Sequence, residues 1–186
     1  LFFQAPQNLG PGVNSSSNDF SPYIHSDGKT LYFASEGKYG FGGSDLFMSK
    51  LNDTIWSFAL NFGFPVNTRF DEDGIVISTA GNTALFSSDR DSTKNMSKDL
   101  FQFDIPDEFM PDKVGYIKGY VVDNSTGKKL NSTIEISRLE DDESVKVTSD
   151  DIDGFITTLV ASRRYALNVN LQGYKFYSRH FDLSDS

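Results

Sequence analysis

The sequence predicts an all-β protein, and three observations carry that prediction. No window of 11 residues sustains apolar spacing at i, i+3, i+4, which an amphipathic helix requires. Short runs rich in Tyr, Phe, Val, Ile and Thr instead recur between clusters of Gly, Asn, Asp and Ser. Aromatic residues make up 14% of the chain, which suits broad pleated surfaces. In order, strands are expected at 23–25, 30–35, 45–49, 74–78, 84–88 and 99–103. A second series follows at 115–123, around Ile134 and Ile136, at 155–160, at 165–169 and at 174–183.

Composition excludes several function classes. The 186 residues carry 26 acids against 17 Lys and Arg, a formal net charge of −9, which argues against nucleic-acid binding. The absence of cysteine removes disulfides, thiolate metal sites and thiol nucleophiles. His25 and His180 stand 155 positions apart, so no paired-histidine hydrolase motif exists. Residues 1–112 hold 7 basic and 15 acidic groups, whereas 113–186 hold 10 and 11, which points to two domains. No stretch reaches the ~20 apolar residues of a membrane helix. The first residues lack signal-peptide regions and read as mid-strand, so the chain is expected to be cut from a longer polypeptide.

An internal repeat organises the front of the chain. Residues 8–14 (NLGPGVN) align with 61–67 (NFGFPVN), Asp19 with Asp71 or Glu72, 27–35 with 80–88, and 44–47 with 98–101. The offset holds at 53 to 54 residues through all four stretches when Asp19 is set against Glu72. Turns at Gly28 and Gly81 call for positive φ. The loop at 40–43 is glycine-rich in the first copy, and its counterpart at 91–98 has no glycine. Trp56 is expected on an outer strand. Each copy reads as a four-stranded meander of ~50 residues, as in a propeller blade.

These residues carry a family resemblance. Trp56, Pro65-Val66-Asn67-Thr68, Asp71-Glu72, Leu85-Phe86-Ser87-Ser88-Asp89 and Asp99-Leu100-Phe101 resemble the WD40-like propeller repeats of bacterial envelope proteins, of the Tol-associated type. Leu31-Tyr32-Phe33-Ala34-Ser35 and Gly42-Gly43-Ser44-Asp45-Leu46-Phe47 match the pattern again. The resemblance implies blades at about 8–58 and 59–105 within a domain of residues 1–105. A linker is expected at 106–113, where prolines alternate with acids. In 114–186, Gly119-Tyr120-Val121-Val122-Asp123, Thr126-Gly127, Asp153-Gly154-Phe155, Tyr165 and Gly173-Tyr174 resemble the carboxypeptidase-regulatory-like domain. That module is a non-catalytic, transthyretin-like antiparallel sandwich. Lys129 stands where its usual pattern has proline. The expected architecture is a partial β-propeller of two blades plus this sandwich.

The order propeller then sandwich is similar to the middle of OmpA-family modular envelope proteins of Bacteroidota, some of which serve type IX secretion or gliding. The resemblance therefore implies a periplasmic scaffold associated with the outer membrane and binding other envelope proteins or glycans. It implies no cofactor, no nucleic-acid partner and no membrane span in this segment, and peptidoglycan contact only through a further C-terminal domain. Two blades cannot close a ring, so further blades upstream are expected.

Candidate binding residues lie on loops, where propellers bind: Asn14, Gly42, Gly43, Asn67, Asp89 and Asp91. Asp45 and Asp99 recur in both copies and read as structural, each accepting backbone N–H groups of the preceding turn. The acid-rich runs at 71–74, 89–91 and 150–154 could offer oxygens to calcium, with Asp151 and Asp153 as the candidates, but turn chemistry accounts for them. Catalysis has no designated residues: no nucleophile elbow surrounds a serine, and no carboxylate pair has a distinctive context. Thr54 and Ser92 sit in three-residue motifs resembling Bacteroidota O-glycosylation sites. Two alternatives stand beside the scaffold: a propeller-bearing polysaccharide hydrolase or lyase, and a calcium-dependent adhesin.

Overall fold

The computed structural model describes residues 5–91, 97–141 and 143–183. The described residues form fourteen β-strands, one short 3-10 turn and no α-helix, so the protein is all-β, with antiparallel sheets and no closed barrel. The chain divides into two compact units, Leu1–Asp112 and Lys113–Ser186.

Unit 1 holds two sheets. The first contains β1 (Asp19–Ile24), β2 (Thr30–Ser35), β3 (Asp45–Asn52), β4 (Ile55–Trp56) and β5 (Leu60–Asn61), with β5 returning to pair with β3. The second contains β6 (Glu72–Ile77), β7 (Thr83–Ser88) and β8 (Asp99–Asp104). The repeat is preserved in their hydrogen-bond registers. Asp19↔Ser35, Phe20↔Ala34, Tyr23↔Tyr32 and Ile24↔Leu31 return as Glu72↔Ser88, Asp73↔Ser87, Val76↔Leu85 and Ile77↔Ala84, every number raised by 53. The β2–β3 and β7–β8 pairs likewise match, with offsets of 53 and 54.

Even the irregularity is duplicated. Both first strands carry a bulge, in which two residues face one on the partner. The first bulged residue is left-handed in each, Ser21 at φ 50° and Gly74 at φ 63°. Glycine adopts that region freely, whereas serine meets its own carbonyl. Ser21→Gly is therefore expected to raise the stability of unit 1 by about 0.5–1 kcal/mol, and Ser21→Ala to leave it unchanged. Thermal midpoints of the two variants check this.

The copies differ from the expected four strands each: among the described residues the first has five and the second three. After β3 the chain turns at Asp53 (φ 53°) into a hairpin and comes back as β5, pairing Phe47↔Asn61 and Met48↔Leu60. After β8 it meets Ile105 and Pro106 and enters the 3-10 turn Asp107–Phe109. Proline has no N–H to offer a ladder, so no returning strand forms there.

Tyr32, Ala34, Leu46 and Met48 of the first sheet pack against Ile75, Ile77, Ala84 and Phe86 of the second, with Phe62, Val66, Ile105 and Phe109 between them. The far face of the first sheet buries Leu31, Phe33 and Phe47 under Val13, Trp56 and Ala59. Covered on both sides, β2 is buried at every position. Part of the segment expected as a linker belongs to this core: Phe109 is buried, and its carbonyl accepts the Tyr32 hydroxyl at 2.7 Å. An apolar ring in a proline-rich run is enough to anchor it.

Unit 2 contains β9 (Val114–Gly119), β10 (Ser132–Arg138), β11 (Ser144–Ser149), β12 (Phe155–Val160), β13 (Arg164–Val169) and β14 (Tyr177–Asp182). They form a four-stranded sheet, β11-β10-β13-β14, and a two-stranded sheet, β12-β9. Alternation does the sorting: Ile134 and Ile136 of β10 point inward with Tyr165 and Val169 of β13 and meet Leu159 of β12.

Candidate functional site

Three loops meet at one end of the sheets of unit 1: the β2–β3 loop, the segment from β5 to β6, and the start of the β7–β8 loop. Their geometry is set by inward-facing polar side chains. Asn61 Oδ1 accepts the Gly63 N–H at 2.7 Å, and the Asn67 N–H returns to the Gly63 carbonyl at 2.8 Å, closing a tight turn. Asn67 is fully buried and behaves as a surrogate strand residue. Its Oδ1 accepts the Leu46 N–H at 2.8 Å, while its Nδ2 donates to the Leu46 carbonyl at 2.9 Å and to Asn61 Oδ1 at 2.8 Å.

Glu72, also fully buried, collects four donors. They are the Thr68 N–H at 2.8 Å, Thr68 Oγ1 at 2.7 Å, Ser88 Oγ at 2.8 Å and Arg90 Nη2 at 3.0 Å. Arg90 donates as well to the carbonyls of Pro65 and Val66, and its guanidinium stands 5.0 and 5.1 Å over the rings of Phe86 and Phe101. Asp71 accepts the Ser44 N–H at 3.0 Å, and Asp89 accepts the Asp71 N–H at 2.9 Å. Asp45 Oδ2 accepts the Phe41 N–H at 2.9 Å and the Gly42 N–H at 3.4 Å. Burial pushes the Asp45 carboxyl above its ordinary range, those two N–H groups hold it back, and the charges of Glu72 and Asp71 add to the upward push. Its Oδ1 has no partner among the described residues. The glycines are exposed, but the side on which a Cβ would stand is occupied: a Cβ on Gly42 would lie 1.9 Å from the Phe70 carbonyl oxygen, and one on Gly43 2.3 Å from Asp71 Oδ1.

Gly42, Gly43, Asn67 and Asp89 thus come together, with Asp45 beside them. Asn14 lies in the first copy of the Asn67 loop and bonds Asn8. Asp91 is exposed at the edge of the described residues, and Ser92 falls outside them. Asp99 opens β8 opposite Ser88 and is exposed. Thr54 is exposed in the β3–β4 turn, and Trp56 is half-buried on β4. Gly28 and Gly81 both turn at positive φ, 72° and 76°. Asp151 and Asp153 are exposed around Asp150, whose Oδ1 accepts the N–H groups of 152 and 153. Among the described residues no three acids or histidines are grouped to hold a metal ion.

The sequence did not reveal the exposed aromatics on these loops. Tyr39, Phe41 and Phe64 project into solvent, and Asn61 Nδ2 ties the Tyr39 carbonyl to the neighbouring loop at 3.1 Å. Their signal was present as aromatic residues next to glycine, but only the fold shows which rings stay outside. Rigid loops carrying exposed aromatic rings can contact a protein or a sugar face. In unit 2, a mostly apolar cleft of about 760 Å³ lies between Ile117, Val121, Phe155, Tyr174 and Phe181.

At the opposite end of unit 1, Asp27 Oδ1 accepts the N–H groups of Lys29 and Thr30, and Oδ2 accepts Thr30 Oγ1 and the Asp112 N–H. Burial raises this carboxyl, but the four hydrogen bonds outweigh it and hold it below the usual carboxylate range. A depressed folded-state value means the carboxylate stabilises unit 1 above its unfolded pKa, and that the contribution fades as pH falls through the folded one. Asp27→Asn should flatten the acid limb below about pH 4, measured by urea midpoints. Asp45 is shifted the opposite way, so the difference between wild type and Asp27→Asn is the quantity to read.

Compared with known proteins, the chain matches no family model, no curated protein and no solved structure. No helix of the described residues is long and apolar enough to cross a membrane.

Proposed function

We propose that the chain is a non-enzymatic scaffold of the bacterial cell envelope, two propeller-type blades followed by a transthyretin-like sandwich in an OmpA-family protein. In this proposal it acts in the periplasm at the outer membrane and binds other envelope proteins, among them components of type IX secretion or gliding. The observation that carries the binding function is the pairing of pinned loops with exposed rings. Asp45, Asn67, Asp71 and Glu72 each put at least one side-chain oxygen into holding backbone N–H groups at this end, and Tyr39, Phe41 and Phe64 are what the loops present. Preformed loops bind without an ordering cost, and aromatic anchors supply most of the contact energy. Support for blades comes from the duplicated registers.

The test uses the immobilised chain and an envelope extract of a Bacteroidota cell. An envelope protein should be retained by wild type and lost with Tyr39→Ala/Phe41→Ala, whose circular dichroism should be unchanged. Retention that ignores the double substitution, or turnover of a polysaccharide by the purified chain, would overturn the proposal.

A further inference from the structure

The contact between the two sheets of unit 1 has two sides, and the chain carries a second, unoccupied set of each. On one side of the occupied contact stand Tyr23, Tyr32 and Leu46 of the first sheet; on the other stand Phe62, Asn67 and Ile77. Subtracting 53 from the latter gives Leu9, Asn14 and Ile24. Adding 53 or 54 to the former gives Val76, Leu85 and Leu100. Phe62, Asn67 and Ile77 are buried, whereas Leu9 and Ile24 are 41% and 51% exposed and Asn14 is half-exposed. Tyr32 and Leu46 are buried completely, whereas Val76, Leu85 and Leu100 are 45%, 43% and 79% exposed.

The backbone repeats the same logic. The N–H and C=O of Leu46 point away from β2, because both bond Asn67. Ala34↔Leu46 and Ser87↔Leu100 occupy the same place in identical registers, so the N–H and C=O of Leu100 point away from β7. Among the described residues no strand pairs with that edge of β8. The loop that would meet it is already shaped: Asn8 Oδ1 accepts the Gly10 N–H and the Asn14 Nδ2, as Asn61 does for Gly63 and Asn67. The Asn14 N–H reaches the Gly10 carbonyl at 2.8 Å, the same as Asn67 to Gly63.

We infer that this chain associates head to tail with a second copy of itself, the Asn14 carboxamide of one copy bonding the Leu100 N–H and C=O of the next, with Leu9 and Ile24 packing on Val76, Leu85 and Leu100. The occupant is a second copy because the matching surface is present on this chain with its loop already formed. The contact is heterologous, using different patches on the two molecules, so it propagates into rings or chains rather than stopping at a two-fold dimer. It stands on the duplicated register and does not depend on the envelope proposal, since the purified chain alone is enough to test it.

The experiment is light-scattering mass measurement of the purified full chain across a concentration series, with Asn14→Ala and Leu100→Asp made separately. Both positions are exposed or half-exposed, so each variant should keep the wild-type circular dichroism. Wild type should form species above dimer, and each variant alone should fall back to monomer. Mixed one to one, the variants should form a dimer with one molecule of each, because each retains the side the other has lost. A wild type that stays monomeric, variants that associate as wild type does, or a mixture that stays monomeric would each overturn the inference.

Discussion

Replacing Phe62 by alanine is expected to destabilise unit 1 by about 3–5 kcal/mol, the range for deleting a buried phenylalanine ring. The ring lies at the centre of the core between the sheets. It stacks on Phe109 with centroids 4.2 Å apart, meets Phe103 edge-on at 5.6 Å and lies 6.1 Å from Tyr32. Those neighbours belong to three different segments, so collapse into the cavity would have to move all of them together, which keeps the cost near the upper half of the range. Leu9, at the same repeat position, provides the control. It is 41% exposed, and Leu9→Ala should change the stability of the isolated monomer by less than about 0.5 kcal/mol. Trp56 is the only tryptophan and packs within unit 1, so its fluorescence during urea unfolding reports this unit alone. Similar midpoints for the two variants would show that the core is misassigned.

Glu72→Ala is expected to cost about 3 kcal/mol, toward the lower end of what breaking a buried ion pair costs. All four partners of the carboxylate are donors, and alanine leaves the Thr68 N–H without its acceptor and Arg90 with backbone carbonyls but no charged partner. The Arg90 side chain is 20% exposed and recovers some hydration, which is why the figure stays low in the range. Glutamine does not rescue the site, because its NH2 group must face a donor on one side. Glu72→Gln should therefore cost about 1–3 kcal/mol despite its equal size. The same urea titration checks both variants, and a glutamine variant as stable as wild type would refute the four-donor account.

Much of the local structure was legible. The alternation at 30–35 gave β2 with the boundaries Thr30–Ser35, and 84–88 lies within β7, Thr83–Ser88. Turn glycines announced themselves through residue type, since Gly28 and Gly81 follow Asp27 and Ala80 at matching positions. The bulge was hidden, because serine and glycine occupy its two copies and only the backbone shows them equivalent. The roles of Glu72 and Arg90 were hidden for a different reason. An acid beside other acids reads as a solvated turn until the fold brings Thr68, Ser88 and Arg90 around it. The surface aromatics Tyr39, Phe41 and Phe64 looked the same as the core rings Phe33 and Phe62.

Strand period, turn chemistry and the duplicated motif are properties of neighbouring residues, so the chain alone determined the β class, the repeat and the spacing that yields one register twice. Which member of each duplicate is buried was decided by tertiary structure. Asn14 and Asn67 have the same residue type and the same loop, as Leu46 and Leu100 share type and strand position. Burial depends on whether another sheet stands opposite, and only the second sheet, folded against the first, supplies one.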